Sequence, residues 1–279
     1  MISARKNYFF KKIKDCLWNI YVFTVCAFSK IILHQLWRFA RKNNLRIRPV
    51  LLTCEEQFES KKNFIESFQK IKDNFERPVI FVDNFLEKEP SKEYLELLGK
   101  LNPEKIFYIK KYEKSPDRYS NIQRFAISEL FEKSLPYIKD AMLFLEDDVI
   151  FSSKFVDVIK KIRFSKNTGF ITLYSPYHEY LPLKGNGLLQ KVDHKKFYGT
   201  QAVLFPKNVI ERLKCNFENL SKVKPEYGHA PGYDHNWAYF LGIENYELFA
   251  TNNSYVQHMQ DNSRLRQSAI THKSYRFIK

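Results

Sequence analysis

Met142-Leu143-Phe144-Leu145-Glu146-Asp147-Asp148-Val149 sets three consecutive acids directly behind a run of four apolar residues. A continuous apolar run of that length reads as a strand buried on both faces of a parallel sheet. Adjacent carboxylates repel one another and gain nothing from burial, so without a cation they cost stability. At the carboxyl edge of a parallel sheet, where open α/β folds bind ligands, they suit a hard divalent ion held through oxygen. The same acids also suit the positive end of a helix starting near Ser152-Ser153.

Upstream of this stretch the pattern of short apolar run and amphipathic helix repeats. Val50-Leu51-Leu52-Thr53 reads as a strand, followed by a helix on which Phe64, Phe68, Ile71 and Phe75 share a face. Pro78 ends that helix, and Val79-Ile80-Phe81-Val82 forms a second strand that stops at Asp83. Leu95, Leu98 and Leu101 mark the next helix, Ile106 to Ile109 the next strand, and Ser120 N-caps a helix carrying Ile122, Phe125, Ala126 and Leu130. The alternation predicts a doubly wound α/β unit of the nucleotide-binding type.

Downstream the rhythm loosens. The pattern predicts a helix over 153–163, a strand from Phe170 to Tyr174 and a mobile polar loop from Ser175 to Lys195. A strand from Phe197 to Phe205 then leads into a helix starting at Pro206. A turn over His229 to Tyr233 precedes a short helix that ends near Gly242.

With 279 residues, 44% of them hydrophobic and 16% aromatic, the chain has ample material for one large core. Its net charge of +15 is unevenly placed: residues 1–48 hold 11 Lys/Arg against Asp15 alone, so they carry +10 and leave +5 for the rest. The basic excess therefore belongs to an N-terminal arm, residues 1–47, whose Trp18, Phe23, Phe28 and Trp37 suit an anionic membrane surface. Within it the longest uncharged run, Cys16 to Ser29, is 14 residues, short of the roughly 20 needed to cross a bilayer. Lys30, His34, Arg38 and Arg41 form a polar stripe on one helical face, so an amphipathic helix lying on the membrane is expected. No nucleic-acid partner is expected. Cys16, Cys26, Cys54 and Cys215 stand apart, with no metal-ligand spacing, and read as reduced thiols.

The stretch 121–158, with "LFLEDDVIFSSKFVDVI" at its centre, resembles the central block of GT-A glycosyltransferases, in which a D-x-D or E-D-D motif ends the fourth strand. It is similar to the inverting N-acetylglucosaminyltransferase type and to bacterial lipooligosaccharide transferases with an L-E-D-D motif. The resemblance implies a GT-A-like single α/β domain over 48–279, with a mainly parallel central sheet flanked by helices. Residues 48–150 would form its nucleotide-binding half and 151–279 its acceptor half.

The resemblance also implies roles for particular residues. Asp148 would coordinate Mn²⁺ or Mg²⁺ directly, Asp147 would assist through the ribose or a metal-bound water, and Glu146 would lie nearest the nucleotide. Gly232-Tyr233-Asp234-His235-Asn236-Trp237 resembles the acceptor-loop motif that supplies the general base, here Asp234. A carboxylate within reach of the attacking hydroxyl takes the proton lost in the transition state; Asp234 equally suits an N-cap of the following helix. Ser254-Tyr255-Val256-Gln257-His258 resembles an S-x-x-Q-H segment in which His258 completes the metal shell or touches the diphosphate. Arg264 and Arg266 follow as diphosphate clamps or as a solvated tail. Thr53, Glu55 and Asp83 end the first two strands, where this fold seats the nucleoside. Tyr198-Gly199-Thr200-Gln201-Ala202 resembles a G-x-x-A stretch on the sugar or acceptor side, which gives Tyr198, Gly199, Gln201 and, from the acceptor loop, Trp237 to that side.

Together these readings predict a metal-dependent enzyme that moves a sugar from a nucleotide-diphosphate sugar, UDP-linked by the resemblance, to a hydroxyl of a glycan or glycolipid, with inversion; the same acidic cluster leaves open a metal-dependent phosphohydrolase or nuclease, and the basic arm a non-catalytic membrane-associated binding module. A cytoplasmic position on the inner face of a bacterial plasma membrane follows from the arm. Two sequons, Asn219-Leu220-Ser221 and Asn252-Asn253-Ser254, leave a type II membrane protein of the secretory pathway open.

Overall fold

The computed structural model describes residues 45–55, 58–83, 89–109, 127–175, 187–197, 199–215, 233–259, 274 and 276–279. Residues 1–44 of the arm, Tyr198, Gly232, Arg264 and Arg266 lie outside these residues, as does the region around the expected N-cap Ser120. The described body falls in the compact unit Leu45–Lys279. Among the described residues no helix is long and apolar enough to cross a membrane.

The apolar runs become strands in the order the sequence implies. β1 (Ile47–Thr53), β2 (Val79–Asp83), β3 (Lys105–Ile109) and β4 (Ala141–Glu146) lie parallel, with spatial order β3-β2-β1-β4. Between them run α1 (Phe58–Gln69), α2 (Lys92–Gly99) and α3, a helical stretch over 127–134. Ser91 caps α2 by accepting from the Tyr94 amide at 3.2 Å.

A two-residue turn, 147–148, joins β4 to the short β5 (Val149–Phe151), which α4 (Phe155–Lys161) follows. β6 (Thr168–Thr172), β7 (Leu189–Val192), β8 (Ala202–Pro206) and β9 (Glu247–Thr251) extend the main sheet to β3-β2-β1-β4-β8-β6-β9-β7. α5 (Lys207–Cys215) and α6 (Tyr233–Ile243) connect its last strands, and β10 (Val256–His258) pairs antiparallel with β5 as a separate ribbon. This is the α/β architecture expected, one large sheet flanked by helices. Four of the pairings in the main sheet are parallel, and the three involving β8 or β7 are antiparallel.

Alternating residues of each central strand serve two cores, one on each face of the sheet. Val50, Phe81, Met142, Phe144, Val203 and Phe205 pack against α3, α5 and α6. Leu51, Ile80, Leu143, Leu145 and Leu204 pack against α1, α2, α4 and the ribbon. At the amino edge, buried Arg48 pairs with Glu76 at 3.1 Å and donates to the Tyr137 carbonyl, which pins the strand starts together.

Two expectations are corrected. The stretch Ser175 to Lys195 is not loop throughout, because Leu189–Val192 is the edge strand β7, held in register by β9. Its four residues carry too little apolar pattern to announce a strand. The strand expected from Phe197 begins only at Ala202, because Gly199 takes a φ of 103° and residues 199–201 turn their polar groups toward other partners. Pro206 accordingly ends β8 rather than opening the helix, which starts at Lys207.

Candidate active site

Strand direction decides where the acids go. β1, β2 and β4 are parallel, so Thr53, Asp83 and Glu146 end at one edge, with Leu52 in register with Glu146 and Thr53 with Val82. β8 runs the other way beside β4, which brings residues 199–201 to the same edge. The ribbon brings His258 there, because β10 sets it opposite Val149, the residue after Asp148.

Asp148 and His258 meet at this edge. The His258 Nε2 lies 3.0 Å from Asp148 Oδ2, with both side chains almost fully enclosed. The Met259 amide donates to the Asp148 carbonyl at 2.7 Å, and the Ser274 hydroxyl accepts from the His258 amide at 3.2 Å. Burial opposes charge on the Asp148 carboxyl, but the hydrogen bond and charge of His258, with the charge of Lys61 behind them, hold it below its ordinary value. Among the described residues its Oδ1 is buried with no hydrogen-bond partner.

Asp147 turns the opposite way, into the body. Its Oδ1 receives the Lys61 ammonium, and its Oδ2 receives the Thr53 hydroxyl and, at 3.1 Å, the Cys54 amide. Burial pushes the Asp147 carboxyl up against the pull of Lys61. Burial likewise opposes charge on Lys61, but Asp147 outweighs it and holds the ammonium above its usual value. Three donors aimed at one carboxylate make this a buried ion pair with its hydrogen bonds satisfied. The Tyr94 hydroxyl meets Thr53 Oγ1, and burial, reinforced by the charge of Asp147, keeps that phenol neutral.

Glu146 belongs to a third direction. The Thr200 hydroxyl donates to its Oε1 at 2.7 Å and the Gln201 amide to its Oε2 at 3.4 Å. One residue earlier the Gly199 amide donates to Asp234 Oδ2 at 3.2 Å, while Asp234 Oδ1 accepts from the His235 amide at 2.9 Å. The three residues 199–201 thus bridge the first acid of the triad and the proposed base at the start of α6.

The structure brings together Glu146, Asp148, Gly199, Gln201, Asp234 and His258 at or beside this edge, with half-buried Asp83 ending β2 on the same side. Asp147 is bound to both Thr53 and Lys61, and Thr53 also meets the Tyr94 hydroxyl. Trp237 is 1% exposed and packs in the core between Phe131, Phe144 and Phe205. Glu55 accepts from the Ser91 amide at the start of α2. Cys54 and Cys215 are free thiols, as expected; Cys16 and Cys26 lie outside the described residues.

Lys61, Tyr94 and Thr200 are the residues that sequence reasoning missed. Lys61 stands three residues before Phe64 and seven before Phe68, on their helical face. A lysine on an apolar stripe is the signal that could have found it.

A divalent ion fits this donor set in part. Asp148 offers a hard oxygen with a buried, unpartnered lone pair, and His258 offers an imidazole. Among the described residues no group of three or more His, Cys, Asp or Glu forms a complete cage. Asp148 and His258 would supply at most two positions of such an ion, and a bound ligand and water would have to supply the rest.

No family model matches this sequence, and no curated protein matches it. Solved structures similar to it include the apo-form glycosyltransferase GlyE of Streptococcus pneumoniae TIGR4, at 12% identity and a TM-score of 0.42, covering 74% of this chain and 45% of that one. Another is a glycosyltransferase involved in the glycosylation of the major capsid of PBCV-1, at 11% identity and a TM-score of 0.44, covering 80% of this chain and 96% of that one. This chain spans less than half the length of GlyE.

Proposed function

We propose that this chain is a metal-dependent glycosyltransferase that moves a sugar from a nucleotide-diphosphate sugar, UDP-linked by the motif resemblance, to a hydroxyl of a glycan or glycolipid. The observation that carries the reading is the Asp148–His258 pair, with a buried carboxylate oxygen that has no hydrogen-bond partner among the described residues, at the carboxyl edge of a GT-A-like sheet. Asp148 and His258 would hold Mn²⁺ or Mg²⁺, which when bound neutralises charge on a departing diphosphate.

Asp234 is the base in this reading. The Gly199 and His235 amides fix its two oxygens, and each oxygen keeps a further lone pair for the proton of an acceptor hydroxyl. Attack by that hydroxyl on the face opposite the leaving group inverts the anomeric centre. Thr200 and Gln201 hold Glu146, so the segment that orients the base also orients the nucleotide side. The basic arm, residues 1–47, would keep the enzyme on an anionic membrane surface at the cytoplasmic face, near a glycolipid acceptor.

A panel of nucleotide sugars, each tested by calorimetry with and without Mn²⁺, checks the reading. Metal-dependent binding of one donor is expected, together with a product of inverted anomeric configuration by NMR. Asp234→Asn is expected to lower turnover about 100-fold or more while leaving donor binding intact. Phosphate-ester cleavage without sugar transfer would overturn the reading. Attachment of the full chain to anionic vesicles, weakened by salt, tests the arm; attachment indifferent to both lipid charge and salt would count against it.

A further inference from the structure

We propose that Lys61 is a positioning residue for the acidic turn, holding Asp147 inward so that its neighbour Asp148 is presented to His258. This rests on the reading of Asp148 and His258 as the metal-binding pair. The turn is only two residues long, and its two carboxylates are pulled apart: Asp147 toward Lys61, Thr53 and Cys54, Asp148 toward His258. Without an internal cation the three adjacent acids would repel, and either aspartate would be free to face the edge. Lys61, 2% exposed on α1, cancels one of the three charges and fixes which one.

Both sides of the turn are anchored. On the inner side Tyr94 of α2 backs Thr53, and Thr53 backs Asp147. On the outer side the Met259 amide takes the Asp148 carbonyl. A buried ion pair contributes little net stability compared with an apolar pair of equal volume, so its value lies in the geometry it imposes. Outer partners of this kind orient the ligating residue, and their loss typically weakens metal affinity about 10- to 100-fold.

The full-length double variant Lys61→Met/Asp147→Leu tests this, because it leaves no unpaired charge in the core. In the metal-free protein the Met259 amide is expected to exchange about tenfold faster or more than in the parent, while the central strands keep their protection. Calorimetry is expected to show Mn²⁺-dependent UDP affinity lower by about 10-fold or more. Parent-like exchange at Met259 together with parent-like affinity would overturn the proposal. Should the double variant not fold, Asp147→Asn takes its place, with the same two readouts moving in the same directions and the same null result overturning it. If the parent itself binds neither Mn²⁺ nor UDP, the functional reading falls, and Met259 exchange alone still decides whether Lys61 positions the turn.

Discussion

The indole of Trp237 stands at 90° to the ring of Phe144, with their centroids 5.6 Å apart. Phe144 is two residues before Glu146 on β4, so α6 is fastened to the strand that carries the acids. Trp237→Ala is expected to cost about 3–5 kcal/mol by urea denaturation, as for other large aromatic residues removed from a core. Trp237→Phe is expected to leave nucleotide affinity at the parent value; a specific loss of acceptor binding in a stable Phe variant would return Trp237 to the substrate side.

Gly199 tests the bridge to Asp234. Its φ of 103° is a backbone state that side chains rarely adopt, and an added Cβ would lie 3.0 Å from two carbons of the Tyr174 ring. Gly199→Ala is expected to destabilise the fold by about 1–3 kcal/mol. It is also expected to lower turnover more than donor affinity, because the displaced amide is the one that fixes Asp234. Unchanged melting and kinetics would show the strain to be absent.

Thr200→Val keeps the shape of a side chain that is 3% exposed and removes its donation to Glu146. A hydrogen bond to a charged group contributes about 1.5–3 kcal/mol, so a loss in that range is expected in chemical denaturation. Thr200→Ser, which restores the hydroxyl, is expected to recover most of it.

Asp140 supplies a pH test away from the site. The side chain and backbone amide of Arg46 hydrogen-bond its carboxylate and hold its pKa below the ordinary 3.8. A native pKa below the unfolded one adds stability above the unfolded value, and that stability is lost as the pH falls through the lowered native value. The parent is therefore expected to melt above Asp140→Asn at neutral pH, with the gap closing as the pH drops below 3.8. Because Arg46 is solvent-exposed, the gap is expected to be small and to shrink with added salt. A gap that is constant from neutral to strongly acid pH would contradict the assignment.

The central strands were legible because their apolar runs are continuous and each ends at a polar residue. β1, β2, β3 and β4 therefore lie where the runs of Val50, Val79, Ile106 and Met142 placed them. β7 was not legible, because Leu189 and Val192 alone face a core and the strand exists through its pairing with β9. In the site, Asp148 and His258 were legible as chemical types near a strand end. The inward turn of Asp147 was not, because its partner Lys61 lies 86 residues earlier and adjacency in sequence says nothing of opposite directions in space.

The ribbon of β5 and β10 joins residues 110 positions apart through Asp148 and His258. During synthesis the sheet strands β1 to β4 are complete long before His258 leaves the ribosome. A chain interrupted anywhere between them would carry the acids but lack the imidazole beside them.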